Sequence, residues 1–458
     1  MRLTGHRVKD GYGLTESVSE KIFGLNPNLV ITADAGISDE QMIEKLSDAG
    51  IDVIVTDHHL IPVEGIPKAA VAVIDPQQEI CSYDSKIAGC GVAWLLMTAV
   101  AQKLCATQEQ KQVLHQMLDY VALGTVADLV SLDSVTNRYF VKKGLEFMNQ
   151  KRRPCWQIAL NEKIAGVGDL GFQIGPRVNA SSRMTGRADT AIDFLISEDP
   201  DQVTCSYEFL DQQNRKRQSI ENKILTEAQK SVTRKESVIV YYSAENHAGI
   251  QGIVAGKLAE EYGIPCIMLA DVGNDIVAGS GRAGQFLHLK DALATFNEKH
   301  PGILMSYGGH KAAAGLKLHK NHVEIFQHKF CELVRQQLKG QDITPYKSTD
   351  GALNGFINLE TYFQIEKLKP FGMGFPTPLF YDEMIATRIR VIGRTRNHLS
   401  MMLDNHKAVF FNALETPDSP WPVNEGESIC ALYTLNLNEW MGQKNLQLII
   451  REITKPEQ

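Results

Sequence analysis

The sequence predicts an α/β chain of several domains that closes in a small β-barrel. Three observations carry that expectation. Apolar, β-rich runs alternate with a short helical pattern near the amino end, and the same alternation returns after residue 237. Toward the carboxyl end, five short strand-like runs follow one another at close spacing. A chain of 458 residues is also too long for one ordinary core, and its length suggests about three domains.

The elements are read in order. Leu29 to Thr32 (LVIT) is the first strand, and Ser38-Asp39-Glu40-Gln41 is a capping-box pattern that opens a helix. Met42, Ile43, Leu46 and Ala49 share one face of that helix, and Gly50 ends it. Ile51 to Thr56 (IDVIVT) and Ala69 to Ile74 (AAVAVI) are the next strands. Apolar strands around a short helix are the βαβ signature of a parallel sheet. Gly91 to Leu104 is too short to span a bilayer and reads as a buried helix. Gly171 to Glu236 is helical and rich in charge, including Asn214-Arg215-Lys216-Arg217, and forms a connector. Ser237 to Tyr242, a helix from about Gly252 to Tyr262, and Pro265 to Ala270 make a second α/β pattern. The polar stretch Leu338 to Gly351 reads as a linker. Ile385–Ile392, Leu399–Leu403, Ala408–Asn412, Ser428–Leu437 and Asn445–Glu452 are short strands whose spacing fits a small barrel.

Composition narrows the function. Hydrophobic residues at 43% and charged residues at 22% are ordinary for a soluble globular protein. MRLTGHRVKDGYG has no apolar stretch behind its basic residues, so no secretory signal is read there. Eight scattered cysteines without a CxxC pair argue against structural zinc and a disulfide framework, and favour a cytoplasmic protein. With a net charge of −7 the chain is no generic polyanion binder, so nucleic-acid contacts must come from local basic clusters.

The chemistry gathers at the carboxyl ends of apolar runs: Asp34 after LVIT, Asp57-His58-His59 after IDVIVT, and Asp128 in VALGTVADLV. In an open parallel sheet these ends share one edge, where ligand sites form. Carboxylates with one or two imidazoles suit Mn²⁺ or Mg²⁺. Taken alone, a carboxylate after a strand equally serves as a helix cap. Two adjacent imidazoles are harder to assign to packing.

These segments resemble a known family. TADAGIS, VTDHH and LGTVADLV are similar to motifs two, three and four of the DHH phosphoesterases, in that family's order. HRVKDGYGL, GPRVNASSRM, HAGIQGIVAGKLAEEYGIPCIML, SGRA, GGHKAAAG and PFGMGFPTPLF are similar to segments of its RecJ branch. The resemblance implies a parallel-sheet DHH domain over residues 1–150 and a helical connector over 151–236. An α/β DHHA1 domain over 237–340 and an OB-like barrel over 347–458 follow. The family's first motif, an Asp-x-Asp followed by Gly, is expected ahead of HRVKDGYGL, where Met1 already stands. The DHH domain is therefore expected to be incomplete at its amino end, and hydrolysis by these residues alone slow or absent. The family usually has Ala-Gly where this chain has Ser181-Ser182, and Asn in place of Phe375.

What the resemblance implies for function is a 5′→3′ exonuclease specific for single-stranded DNA, acting in DNA repair and recombination. Asp34 would bridge two Mn²⁺ or Mg²⁺ ions, and His58 and Asp128 would complete one of them. His59 would contact the scissile phosphate, and Asp57 would orient the histidine. Single-stranded DNA is the expected partner, no membrane is expected, and a single-strand-binding protein or a helicase is the kind of protein partner implied. The alternatives are a catalytically silent or truncated relative that only binds single strands, and an enzyme for short oligonucleotides or cyclic dinucleotides. The extra barrel argues against the latter.

Phosphate donors are expected at Arg177, Asn179 and Arg183 and at Ser280 and Arg282. Gly308-Gly309-His310 would add backbone N–H groups and an imidazole, although a tight turn accounts for the glycines equally well. Arg388, Arg390, Arg394 and Arg396, with His398, would form a basic stripe along a strand for tracking a single strand. Surface ion pairs or a solvated strand edge are the plain readings of these arginines.

Overall fold

The computed structural model describes residues 2–7, 9–232, 237–339, 346–414, 416, 419–440 and 442–455. The chain divides into two compact units. The first comprises residues 1–75 and 148–346, the second residues 76–147 and 347–458.

The first unit begins with α1 (Glu16–Leu25), β1 (Leu29–Ile31), α2 (Glu40–Asp48), β2 (Asp52–Thr56) and β3 (Ala72–Ile74). The strands form a parallel sheet in the order β1-β2-β3, with Val30 opposite Val53 and Val55 opposite Val73. Val53 and Val55 are fully buried against Ile43 and Leu46 of α2 and Leu14, Val18 and Ile22. The helix forms as read, but not by the capping box. Asp39 makes no side-chain cap; its carboxylate accepts the Leu14 N–H at 2.7 Å. Gly13, at φ +79°, is required there, because a Cβ would stand 2.4 Å from Asp39 Oδ2.

The second unit opens with α3 (Gly89–Lys103), α4 (Gln108–Gln116), α5 (Leu118–Ala127) and α6 (Val135–Met148). Close approach in this bundle rests on glycine: a Cβ on Gly144 would lie 2.1 Å from the Leu118 carbonyl oxygen. The helix expected to be buried is only partly so. Gly89, Gly91 and Val92 are covered, whereas Met97 and Val100 are exposed, because α3 is apolar all round but packs one end of one face.

Back in the first unit, α7 (Pro154–Leu160), α8 (Val167–Asp169), α9 (Gly175–Thr185), α10 (Asp189–Ile196) and the long α11 (Pro200–Ser231) make the helical stretch. A five-stranded mixed sheet follows, built from β4 (Ile239–Tyr242), β5 (Cys266–Gly273), β6 (Ile276–Arg282), β7 (Leu304–Gly309) and β8 (Ala313–His319) in the order β4-β5-β6-β8-β7. Alternation along β5 splits its faces. Cys266 and Met268 pack with α12 (Gln251–Tyr262), and Ile267 and Leu269 pack with α13 (Leu289–Lys299) and α14 (Val323–Gln337).

The second unit resumes with α15 (Leu359–Glu366) and a closed barrel of β9 (Phe380–Ile392), β10 (His398–Leu403), β11 (His406–Phe410), β12 (Ser428–Trp440) and β13 (Gln443–Thr454). Its circuit β10-β11-β13-β12-β9 is that of a five-stranded OB-type barrel. Within this unit Arg138 of α6 lies 4.3 Å over the Phe375 ring and donates to the Pro370 and Leu368 carbonyls. Phe375, the departure from the family's Asn, thus has a packing role.

Of the predicted linker, residues 340–345 lie outside the described residues, as do 233–236 of the connector. Among the described residues no helix is long and apolar enough to cross a membrane. All eight cysteines are free.

Candidate metal centre

The site in the first unit is assembled by the loops that leave β1 and β2. The Thr32 hydroxyl donates to the Ala35 carbonyl at 2.7 Å, and the Thr56 hydroxyl donates to the Thr32 carbonyl at 2.6 Å. The Asp34 N–H donates to the Thr56 carbonyl at 3.0 Å, so the two strand ends are laced together. Gly36, at φ +113°, lets this loop lie flat, because a Cβ would reach Thr32 Oγ1 and Val55 at 3.0 Å. Asp34 itself takes φ +63°, a conformation an aspartate tolerates better than most residues.

This lacing brings Asp34, His58 and His59 together, with one ligand atom from each lying within 4.8 Å of the others. His58 Nε2 approaches Asp34 Oδ1 at 3.0 Å. That spacing fits a shared cation: ligand atoms about 2.1 Å from an octahedral ion and at right angles stand about 3.0 Å apart. The side chains of Asp34 and His59 are 56% and 58% exposed, whereas that of His58 is 13% exposed, so the cluster is open on one side.

Asp57 lies beneath it and is 1% exposed. Its carboxylate accepts the N–H groups of Ile37 and His58 at 3.1 and 2.8 Å, and meets His59 Nδ1 at 2.7 Å. Burial opposes its ionisation, but the His59 hydrogen bond and the two N–H bonds outweigh that and hold the carboxyl below its ordinary range. The ring that Asp57 orients is therefore that of His59. With Nδ1–H given to Asp57, His59 presents Nε2 outward. Nearby Asp39 is pushed upward by burial, opposed by the Leu14 N–H and reinforced by the charge of Asp57.

Asp128 stands elsewhere than expected. It is no strand terminus but the C-cap of α5, in the second unit. The run VALGTV is apolar enough for a strand, yet it lies within a ten-residue helix buried along most of its length. Short apolar runs do not distinguish the two by period.

A cleft of about 850 Å³ in the first unit runs along β1, lined by Arg7, Tyr12, Ala33, Ala35 and Ser182 among others. Arginines converge near it. Burial, and then the guanidiniums of Arg7, Arg217 and Arg282, press Arg183 below the ordinary range, with Tyr12 working the other way. Arg183 donates to the Gly249 carbonyl and Arg282 to its neighbour Gly281, so among the described residues neither has a carboxylate partner. Ser280 and Arg282 share the face of β6 opposite Gly279 and Gly281, whose missing side chains admit Leu269, Leu316 and Leu289. Arg7 was not singled out in the sequence; it lies 5.1 Å over the exposed Tyr12 ring, and its signal was the basic-aromatic pairing inside HRVKDGYGL.

The other predicted donors divide. Arg177 is committed to Asp211 at 2.8 Å and to the Gln173 carbonyl, so it reads as structural. Asn179 is half-buried, and its carbonyl accepts the Ser182 hydroxyl. Gly308 and Gly309 end the exposed edge strand β7, and the His310 N–H is spent on the Ala313 carbonyl in the hairpin. Gly309, at φ +135°, serves that turn. The basic stripe is not a strand pattern. Arg388 sits in a β-bulge at φ +53° with its N–H given to Glu425, and Arg394 and Arg396 lie in the β9–β10 turn. All four arginines are exposed.

The comparisons with known proteins follow the same architecture. Residues 4–125 match the DHH family N-terminal domain, 235–338 the DHHA1 domain, and 351–452 the RecJ OB domain. The chain is 33% identical to the single-stranded-DNA-specific exonuclease RecJ of Haemophilus influenzae, and equally so to that of Escherichia coli. Each match covers 98% of this chain and 81% of the relative. A crystal structure of RecJ with Mn²⁺ from Thermus thermophilus superposes with a TM-score of 0.83 at 24% identity, over 96% of this chain. That match spans 64% of the Thermus chain and speaks for the fold. A crystal structure of exonuclease RecJ bound to manganese matches 72% of this chain at 27% identity and a TM-score of 0.61.

Proposed function

The chain belongs to the RecJ family, and from that premise we propose that it serves metal-dependent hydrolysis of single-stranded DNA from the 5′ end. The observation that carries this reading is the Asp34–His58–His59 cluster, one carboxylate and two imidazoles whose ligand atoms lie within 4.8 Å of one another at the end of a parallel sheet. Asp34 and His58 would hold Mn²⁺ or Mg²⁺. Such an ion, when bound, polarises a phosphoryl oxygen and lowers the pKa of water.

The chain's own residues do the rest. Asp57 fixes the tautomer of His59, whose Nε2 then faces a phosphate oxygen or leaving group. Arg7, which lines the cleft, and Arg183 and Arg282 near it would hold the DNA backbone. Binding of single strands without hydrolysis is the second reading, favoured by a cation cluster that forms independently of the metal ligands.

The test uses 5′- and 3′-labelled oligonucleotides with Mn²⁺. Nucleotide release from the 5′ end of single strands, sparing duplex and abolished in His59→Ala, is the expected result. Equal attack on duplex, release from the 3′ end, or full activity of His59→Ala would overturn it. Tight single-strand binding without release at any Mn²⁺ concentration would select the second reading.

A further inference from the structure

We propose that His398 and Phe411 form a nucleobase-stacking platform on the barrel, flanked by Arg390, Arg394 and Arg396, for single-stranded DNA. The proposal rests on the single-strand reading above and assigns the place where bases, as distinct from phosphates, are held.

The register of the barrel builds the platform. In β10, Leu399, Met401 and Leu403 point into the core, so His398 and Met402 lie half-buried on the opposite face, where Ser400 between them is covered. Leu399 pairs with Phe410 and Ser400 with Val409, which puts Phe411 beside His398 on the outer face. On the other side, His398 pairs with Ile392 and Ser400 with Arg390. The two rings meet edge to face at 5.4 Å between centroids. Phe411 is 51% exposed, a phenyl ring left largely in water.

The surroundings hold these rings still. The Asn412 N–H donates to His398 Nδ1 at 2.9 Å, which fixes the ring. Gly393, at φ +83°, makes room for it, since a Cβ would come 2.8 Å from His398 Cδ2. Asn397 ties the β9–β10 turn to the chain after β11 through Asn412 at 3.1 Å and Leu414 at 3.1 Å. A rigid, wet aromatic face beside exposed arginines matches what a single strand offers, bases with π-faces on a polyanionic backbone. In OB barrels the second and third strands and the loop between the first and second are where oligonucleotides bind. Here those are β10, β11 and the turn that carries Arg394 and Arg396.

The test compares an oligothymidylate with an abasic oligomer of the same length, by fluorescence anisotropy on the full chain. Phe411→Ala should weaken oligothymidylate binding on the order of tenfold, weaken the abasic oligomer much less, and leave the salt slope unchanged. Phe411→Trp should restore binding. Arg394→Ala with Arg396→Ala should instead weaken both oligomers and flatten the salt slope. Undiminished binding by Phe411→Ala, or equal loss for both oligomers, overturns the platform alone. No single-strand binding by the unaltered chain overturns the single-strand reading and the platform with it.

Discussion

Asp34 and Asp57 are two residues of one site with opposite duties, and substitution should separate them. Asp57→Ala removes a carboxylate that is 1% exposed and leaves the Ile37 and His58 N–H groups without their acceptor. A buried donor left unsatisfied costs about 1–3 kcal/mol, so two predict a loss of roughly 2–6 kcal/mol from the first unit. The same change frees the His59 ring, and loss of such an orienting partner should lower nucleotide release about 10- to 100-fold. Asp34→Asn keeps a residue that tolerates φ +63°, and its side chain is half in water. Its stability should stay within about 0.5 kcal/mol, while Mn²⁺ binding is lost with the charge. Urea unfolding followed by circular dichroism gives the first quantity, and calorimetric titration with Mn²⁺ the second. If Asp57→Ala unfolds at the same urea concentration as the parent, or if Asp34→Asn binds Mn²⁺ unchanged, the assignment of roles is wrong.

Five further outcomes follow from the geometry. Arg183→Ala should weaken single-strand binding and reduce the log–log salt slope by about 0.7. Arg177→Ala, which breaks the Asp211 pair, should lower the thermal midpoint and leave affinity within about twofold, as an ion pair rather than a DNA contact would. Gly186→Ala forces a Cβ to 2.0 Å from the His6 ring at φ +77°; about 1–3 kcal/mol of stability should be lost, read from the urea midpoint. Iodoacetamide at pH 8 should label the exposed Cys105 and Cys205 but not Cys266, whose thiol burial pushes up to about 12; early labelling of Cys266, read by peptide mass, would contradict its burial. Burial, reinforced by Lys216, holds His247 below the ordinary imidazole range. Its neutral form thus stabilises the fold above that range, and stability is lost as pH falls through the ordinary value near 6.5; a His247 NMR titration midpoint above 6.5 would reverse that sign.

What could be read ahead of the structure was what local pattern decides. The β1-α2-β2 unit, the second sheet and the barrel each announce themselves through alternation or period, and their edges moved by only a few residues. The same patterns failed where a residue's job is set from a distance. Asp39 looks like a helix cap, but the backbone of Leu14, twenty-five positions away, claims its carboxylate. Asp128 follows a run that would suit a strand, and only burial within a helical bundle decides otherwise. The arginines after residue 387 alternate on paper, yet one bulge at Arg388 and one turn at Gly393 break the period. A bulge adds a residue to one strand only, and no side-chain pattern reveals that in advance. The exposed ring of Phe411 escaped notice for the converse reason. It lies one residue past a strand, where nothing distinguishes it from core until its partner His398 is known to face outward. Motifs pointed to Asp34, His58 and His59, which the structure brings together, because ligand chemistry is written in residue types. Which nitrogen of which histidine Asp57 holds is written only in the loop that Asp34, Thr32 and Thr56 lace shut.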